Sequence, residues 1–334
     1  MNKVARRRVA PCETDDYRAE RREKFSDGRF SRVSREKVRQ VMDTNEERAW
    51  LRLARARRLS AAAAVRLLRD AELPEAVFAS DYATVAKREG ADVADEVRRL
   101  GRGAEDESVD RAFAWLARHD DAFLLPFTSP LYPQALLQSD RPPIVLFARG
   151  NAGLLGRRTV AVIGSEHVDA ESMATGVELG AALVARNVAL IERTATPLEL
   201  SVARAVPSGT ILVLATGPDR VYPATALEEQ RAVLASGGLL LAEAFPEEGV
   251  TPERLERRDA VFAAAADAVL LVAAETSSPE MRLARTAGEM GRSVFAVPGS
   301  IHSPYSKGPH RLIRSGATLA ESAEDVLGDL KNLA

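Results

Sequence analysis

Cysteine is almost absent from this sequence, which has only Cys12 among its 334 residues. An intrachain disulfide and a cysteine-cluster metal site are therefore excluded, and a reducing cytoplasm is the expected compartment. Long apolar runs are missing too: none approaches the roughly 18 residues of a membrane span, and no apolar signal-peptide core follows the charged start. The four histidines are too dispersed in sequence for a metal cage. We expect a cytoplasmic protein with no membrane association, metal or cofactor.

The sequence also lacks the motifs of common nucleotide-dependent enzymes. There is no G-x-x-x-x-G-K-S/T loop, and the first strand-like run ends in Gly-Ser-Glu-His instead of G-x-G-x-x-G. No constellation of catalytic residues stands out. These absences argue against ATPases and dinucleotide-dependent enzymes, and we predict a protein that is not an enzyme.

Positive charge is concentrated near the N-terminus. Residues 1–45 carry 13 Lys and Arg against 8 Asp and Glu and show no sustained apolar period. This segment is predicted to be a disordered basic tail, whose charge could assist nucleic-acid binding. Residues 151–334 carry 17 basic against 23 acidic side chains, which argues against a general polyanion surface. Any nucleic-acid site in that part has to be a local basic patch.

Residues 46–118 have the apolar spacing of helices. Apolar residues recur at intervals of three and four in AWLRLARARRL, AAAAVRLLRDA and VDRAFAWLARH, with Ser60 and Ser108 placed as N-caps. The pattern predicts a small all-helical domain, which either binds DNA through helix ends or serves as a spacer or oligomerisation unit. Residues 119–157, rich in proline and aromatic side chains, are predicted to be an ordered linker packed on the next domain.

Residues 158–330 alternate short apolar runs with helical patterns. Continuous Val, Ile and Leu runs are typical of strands buried on both faces of a parallel sheet. The predicted strands lie at 159–165, 187–192, 210–217, 238–245, 267–275 and 293–299. The fold class is therefore α/β, a Rossmann-like doubly wound parallel sheet preceded by the small helical domain, and ligands bind beyond the carboxyl ends of such strands.

Loops at that edge contain residues suited to phosphate. Gly164 has no Cβ and Ser165 carries a hydroxyl donor, so a phosphate could approach the N-terminus of the following helix closely. Glu166, the next residue, would repel such an anion. The alternative is that Gly164 and Ser165 form a plain tight turn. The last loop gathers hydroxyls, glycine amides and cations, and is either a phosphate-contact loop or a polar surface loop. Its residues are Gly299, Ser300, Ser303, Ser306, Lys307, Gly308, His310 and Arg311. Arg257 and Arg258 begin the helix predicted after the fourth strand.

Taken in order, these segments resemble the DprA/Smf family of DNA-processing proteins across residues 125–328. The resemblance is carried by RRTVAVIGS, TILVLATGPDRVYP, GRSVFAVPGS and KGPHRLIRSGA. The helical domain resembles the sterile-alpha-motif-like module of that family, and no segment resembles its C-terminal winged helix. Departures concentrate in the ligand loops: Glu166 replaces an arginine, Arg193 is kept without its flanking glycines, Pro279 and Glu280 interrupt a Ser-Gly-Ser-Leu turn, and His310 replaces an asparagine.

The resemblance implies single-stranded DNA binding and loading of the RecA recombinase in natural transformation and recombination, without catalysis. It also implies a homodimer formed through the Rossmann domain. The DNA-binding residues it implies are Gly164, Ser165, Arg193, Arg257, Arg258, Gly299, Ser300, Lys307, Gly308, His310 and Arg311. Because the loops are altered, the alternative is a divergent Rossmann nucleotide- or ligand-sensing module that has lost DNA binding. An enzyme of the related phosphoribohydrolase type is not supported, since its Pro-Gly-Gly-x-Gly-Thr loop is missing.

Overall fold

The computed structural model describes residues 44–71, 73–103, 107–138 and 141–330. The predicted basic tail therefore lies almost wholly outside the described residues. Within the described part of the chain, no helix is long and apolar enough to cross a membrane.

The first described region is helical, as its apolar spacing predicts. Its helices are α1 (Thr44–Ala54), α2 (Ala61–Ala71), α3 (Pro74–Phe78), α4 (Tyr82–Glu89), α5 (Ala91–Gly101) and α6 (Glu107–Arg118). Ser60 caps α2, since its Oγ accepts the backbone N–H of Ala63 at 3.1 Å. The N-cap prediction for Ser108 was wrong: this residue lies inside α6, is 2% exposed and accepts a hydrogen bond from Arg55 Nε at 2.7 Å.

All six predicted strands form, and the described residues contain one nine-stranded sheet. The strands are β1 (Ala122–Pro126), β2 (Val145–Gly150), β3 (Thr159–Gly164), β4 (Ala189–Glu192), β5 (Thr210–Leu214), β6 (Leu239–Ala242), β7 (Ala268–Ala273), β8 (Ser293–Ala296) and β9 (Thr318–Leu319). Their order is β1-β2-β6-β5-β4-β3-β7-β8-β9, parallel from β6 to β9. The Rossmann-like doubly wound sheet is confirmed.

The segment predicted as a linker, residues 119–157, contributes β1 and β2 to this sheet. β2 pairs antiparallel with β6, where Phe147 lies opposite Ala242, and β1 pairs antiparallel with β2. Every residue of β1 is buried. The two strands are short and the segment between them is rich in proline, so the sequence pattern is dominated by its turn residues.

Helices cover both faces of the parallel strands. After β3 come α7 (Ala170–Ala185), α8 (Pro197–Ala205), α9 (Leu227–Ala235), α10 (Pro252–Ala265), α11 (Pro279–Glu289), α12 (Lys307–Arg314) and α13 (Ala323–Leu330). Val160 and Val162 of β3 join the core cluster that contains α7 and α8, whereas Ala161 and Ile163 join the cluster that contains α10 and α11. Burial on both faces explains why the strands read as continuous apolar runs.

The helical region and the sheet share a hydrophobic core. Leu51 of α1 and Trp115 of α6 lie in one cluster with Phe147 of β2. Arg55 extends this contact, because its guanidinium carbon lies 4.5 Å from the ring centroid of Phe245 and its Nη1 lies 3.1 Å from Glu248 Oε1. The helices are therefore packed directly onto the sheet.

Candidate nucleic-acid interface

The sheet reverses its winding direction between β3 and β7. From β3 the chain proceeds outward through β4, β5 and β6, and then returns to the other side of β3 as β7. In open parallel sheets, ligands bind beyond the carboxyl ends of the strands at such a switch point. We call the region beyond the ends of β3, β4 and β7 the crevice.

Gly164 ends β3 at the crevice, and Ser165 follows it. Both residues are buried, and the backbone N–H of Ser165 donates to the carbonyl of Ala273 at 2.9 Å. A Cβ at position 164 would lie 2.9 Å from Leu198 Cδ1 on α8. The absence of a side chain therefore allows α8 to pack against β3, which is what the tight-turn alternative requires.

Arg193 follows β4 and is the centre of a buried ion network. Its side chain is 3% exposed, and its Nη2 lies 2.6 Å from Glu199 Oε1 and 3.6 Å from Glu280 Oε1. Its Nη1 lies 3.5 Å from Asp259 Oδ1. The other oxygen of Glu199 accepts the backbone N–H of Ala195 at 2.9 Å. Arg193 is thus surrounded by carboxylates of its own chain.

These carboxylates change the protonation behaviour of the crevice. Burial raises the pKa of Glu192, the residue before Arg193, and the nearby Glu199 raises it further. Burial also raises the pKa of Glu280. For Arg193 burial acts downward, but Glu199 and Asp259 outweigh it and the net pKa shift is upward. Because the ion pairs of Arg193 compensate its charge, this site does not present the positive potential that a phosphate requires.

Arg257 and Arg258 on α10 are also engaged by carboxylates. Arg257 donates from Nε to Glu243 Oε2 at 2.8 Å and from Nη2 to Glu243 Oε1 at 2.5 Å. Arg258 is 7% exposed and donates from Nε and Nη2 to Asp259 Oδ1 at 3.0 and 2.9 Å. With Arg193, three of the five cations that we predicted to bind phosphate are therefore held in internal ion pairs.

The last loop, between β8 and α12, is held by its own hydrogen bonds. The backbone N–H of Gly299 donates to His310 Nε2 at 3.3 Å, and Ser300 Oγ accepts the backbone N–H two residues later at 3.2 Å. Lys307 Nζ donates to the carbonyl of Ile301. The predicted residues Gly299, Ser300, Lys307 and His310 therefore lie together at one loop, and the ion pairs of Arg193 do not include any of them.

Gly308 fixes the contact between α11 and α12. Its backbone N–H donates to the carbonyl of Ala274 at 2.9 Å. A Cβ at position 308 would lie 2.5 Å from that carbonyl oxygen and 2.9 Å from Met281 Sδ. The first turns of the two helices therefore touch, and glycine is required by packing.

Exposed cations gather on these two helices. None of them has an ion-pair partner among the residues that the structure describes. We call them the rim cations: Arg282, Arg285, Lys307, Arg311 and Arg314. Spacings of three and four residues place them on one side of each helix. Exposed acidic residues, Glu166 after β3 and Glu289 on α11, are also present on this part of the molecule.

Among the rim cations, only Lys307 and Arg311 were predicted from the sequence to bind DNA. The other three carried a signal that we missed, since RLAR at 282–285 and RLIR at 311–314 share one spacing. Within the described ranges, no group of three or more His, Cys, Asp or Glu side chains is arranged to hold a metal ion.

Comparison with known proteins identifies the family. The family model of DNA recombination-mediator protein A matches residues 123–331. The chain belongs to this family of DNA-processing proteins. It is 31% identical over 230 residues to Protein Smf of Escherichia coli, a match covering 67% of this chain and 61% of Smf. It is 30% identical over 210 residues to DNA processing protein DprA of Bacillus subtilis, covering 62% of this chain and 70% of that protein. The resemblance stated from the motifs is confirmed, and the chain spans about three fifths of the length of Smf.

Solved structures agree on the fold of this DprA/Smf chain. DprA from Streptococcus pneumoniae superposes with a TM-score of 0.69 at 23% identity, covering 86% of this chain and 98% of that chain. DNA processing protein A from Helicobacter pylori, whose structure is described with its single-stranded DNA binding mode, gives a TM-score of 0.55 at 20% identity. It covers 63% of this chain and 96% of its own. These likenesses establish the architecture on which the crevice and rim cations lie.

Proposed function

We propose that this chain is a non-enzymatic DNA-processing protein that binds single-stranded DNA through the rim cations. The observation that carries the proposal is the difference between the two sets of basic side chains. Arg193, Arg257 and Arg258 are neutralised by carboxylates, whereas the rim cations are exposed and have no ion-pair partner among the described residues.

The physical reason lies in how a polyanion binds. A strand gains affinity when cations neutralise its phosphates and release condensed counterions. An arginine already paired with a carboxylate has to break that pair first, so its contribution is small. Lys307 and Arg311 therefore remain as phosphate partners, while Arg193, Arg257 and Arg258 contribute through structure.

The test is fluorescence anisotropy with a labelled oligothymidylate at low ionic strength. We expect saturable binding by the native chain and weaker binding by the double variant Lys307→Ala/Arg311→Ala. The matched control is Arg98→Ala/Arg231→Ala, which removes two exposed arginines that are paired with Asp95 and Glu228. The control should bind as the native chain does.

Absence of binding by the native chain at low salt would refute the proposal. Equal weakening by both double variants would show that total charge, and not the rim, determines binding.

We further propose that the bound strand is delivered to the RecA recombinase, as the family resemblance implies, and that the chain forms a homodimer through its α/β domain. β9 is an edge strand, and Leu319 on it is 42% exposed. Exposed apolar side chains on an edge strand favour pairing with another chain. Sedimentation equilibrium of the native chain and of Leu319→Lys tests the dimer; a native monomer would contradict it. Loading is tested by measuring RecA filament formation on single-stranded DNA that is coated with a single-strand-binding protein, with and without the present chain.

The alternative function, nucleotide or ligand sensing, is favoured by a different observation. The crevice is rich in carboxylates and Arg193 is paired with them, so the crevice is poorly suited to bind DNA phosphates. Thermal-shift screening with nucleotides tests this alternative, because a ligand that binds only the folded state raises the melting temperature. If no nucleotide raises the melting temperature, this alternative is refuted.

A further inference from the structure

A cleft of about 320 Å³ lies on the face of the sheet that carries α10, and none of the rim cations lines it. It begins where β5 and β6 end and is closed on one side by the first turns of α10. Its floor is apolar, formed by side chains that include Val213, Ala244 and Val261. This size is at the lower end of the range for small-molecule sites, about 300–1,000 Å³.

One wall of the cleft offers hydrogen-bond donors. Arg257 and Arg258 both use Nε and Nη2 for their carboxylate partners. Neither Nη1 group has a hydrogen-bond partner within the described residues. Since both arginines line the cleft, their remaining N–H groups are available to an acceptor on an occupant.

The cleft also offers an acceptor. Glu243 lines it beside Arg257 and is 29% exposed. Its carboxylate is held in one orientation by the fork of Arg257, and an ionised carboxylate has about four lone-pair positions. A donor on the occupant therefore finds a fixed acceptor next to the guanidinium donors.

The charge of the cleft is nearly balanced. Four arginines and three glutamates line it, and the arginines have carboxylate partners, such as Glu248 for Arg254 at 3.0 Å and Glu253 for Arg141 at 3.4 Å. A phosphate would have to compete with these carboxylates for the guanidinium groups. A neutral, flat molecule with adjacent acceptor and donor groups meets no such penalty.

We propose that this cleft binds a heterocyclic base carrying neighbouring carbonyl and N–H groups. The carbonyl accepts from the arginine Nη1 groups, the N–H donates to Glu243, and the ring lies on Val213 and Val261. Guanine and thymine have adjacent groups of this kind, whereas cytosine has no N–H next to its carbonyl and adenine has no carbonyl. The site is independent of the rim cations and does not rest on the function proposed for them.

The experiment is equilibrium dialysis of the full-length chain against deoxyguanosine, deoxycytidine, thymidine, deoxyadenosine and inorganic phosphate, each alone. We expect saturable binding of deoxyguanosine, thymidine or both, and weaker binding of deoxycytidine and deoxyadenosine. Arg257→Lys keeps the charge but loses the fork, and should weaken binding by about tenfold or more. Ala244→Leu adds side-chain volume to the cleft floor and should abolish binding without removing any polar group.

Three results would overturn the proposal: no nucleoside binds, phosphate binds as well as the best nucleoside, or Ala244→Leu binds normally. Lys307→Ala/Arg311→Ala should keep full nucleoside binding, so failure of the rim hypothesis and failure of the cleft hypothesis are distinguishable.

Competition separates the two sources of such a base. Displacement of the bound nucleoside by an oligonucleotide, but not by an abasic oligomer, would identify a base of the strand as the occupant. Displacement by neither would identify the free nucleoside. Equal displacement by the abasic oligomer would show recognition of the sugar-phosphate chain and contradict base binding.

Discussion

Replacing Arg193 by methionine should destabilise the folded chain much more than replacing its partner Glu199 by glutamine. The side chain of Arg193 is 3% exposed and that of Glu199 is fully buried. Without the guanidinium, Glu199, Glu280 and Asp259 lose the only positive group that contacts all three within the described residues. Methionine replaces the aliphatic stem of arginine without its charge, so most of the effect reports the lost ion pairs.

The expected magnitude follows from the geometry. Removing one partner of a buried, hydrogen-bonded ion pair costs about 3–5 kcal/mol, because the other charge is left uncompensated. Glu199→Gln keeps an acceptor for Ala195, and Arg193 retains Glu280 and Asp259, so a loss of about 1–2 kcal/mol is expected. The double variant should recover part of the loss of the methionine variant, since it carries one fewer buried charge.

Urea unfolding followed by circular dichroism measures these free energies, with the midpoint and slope fitted for each variant. Oligothymidylate binding is measured on the same samples. If Arg193→Met loses less than about 1 kcal/mol while strand binding falls sharply, Arg193 is a ligand residue and the description of the crevice as an internally saturated network is incorrect.

Other measurements test the remaining parts of the structure. Single-strand binding should have a log-log salt slope no steeper than about −3.5 if five rim cations contact phosphates, and Lys307→Ala/Arg311→Ala should reduce the slope by about 1.4; an unchanged slope would contradict the rim. Burial raises the pKa of Glu192 in the folded state, so the native chain loses stability as pH rises from the unfolded carboxyl pKa toward the folded value. Glu192→Gln should remove that part of the decline, giving urea midpoints that differ less than the native ones between about pH 5 and pH 8; an identical decline would show that Glu192 is ionised throughout. Gly308→Ala should lower the melting temperature clearly, because its Cβ meets the backbone oxygen of Ala274, whereas Gly299→Ala meets the hydroxyl of Ser306, which can rotate away. Equal melting temperatures for the two alanine variants would argue against the packing role of Gly308.

The parallel part of the sheet was predictable because strands that are buried on both faces consist of continuous apolar residues, which are visible in the sequence. A strand such as β7, Ala268–Ala273, is covered on both faces and has no reason to carry polar side chains. β1 and β2 were missed for the opposite reason. Their stretches AFLLP and VLFARG are as apolar as the others, but the prolines around them are typical of turns and concealed the pairing.

The candidate site was predictable only in part, because sequence shows which cations exist and not which carboxylates neutralise them. Arg193 and Glu199 are six residues apart, whereas Arg257 and Glu243 are brought together across a loop and a helix turn. Gly164 and Gly308 illustrate the same limit: a glycine required by packing and one required by a ligand are identical in sequence. Only the positions of Leu198 and Ala274 distinguish them.

The hairpin of β1 and β2 determines where this protein can be divided. β6 has β5 on one side and β2 on the other, so a fragment beginning at residue 158 would leave the Leu239–Ala242 backbone without its outer neighbour. An exposed strand edge of this kind pairs with other chains and causes aggregation. Recombinant fragments intended for crystallisation or spectroscopy should start upstream of Ala122, and any gene fusion that borrows the parallel strands has to take the preceding hairpin with them.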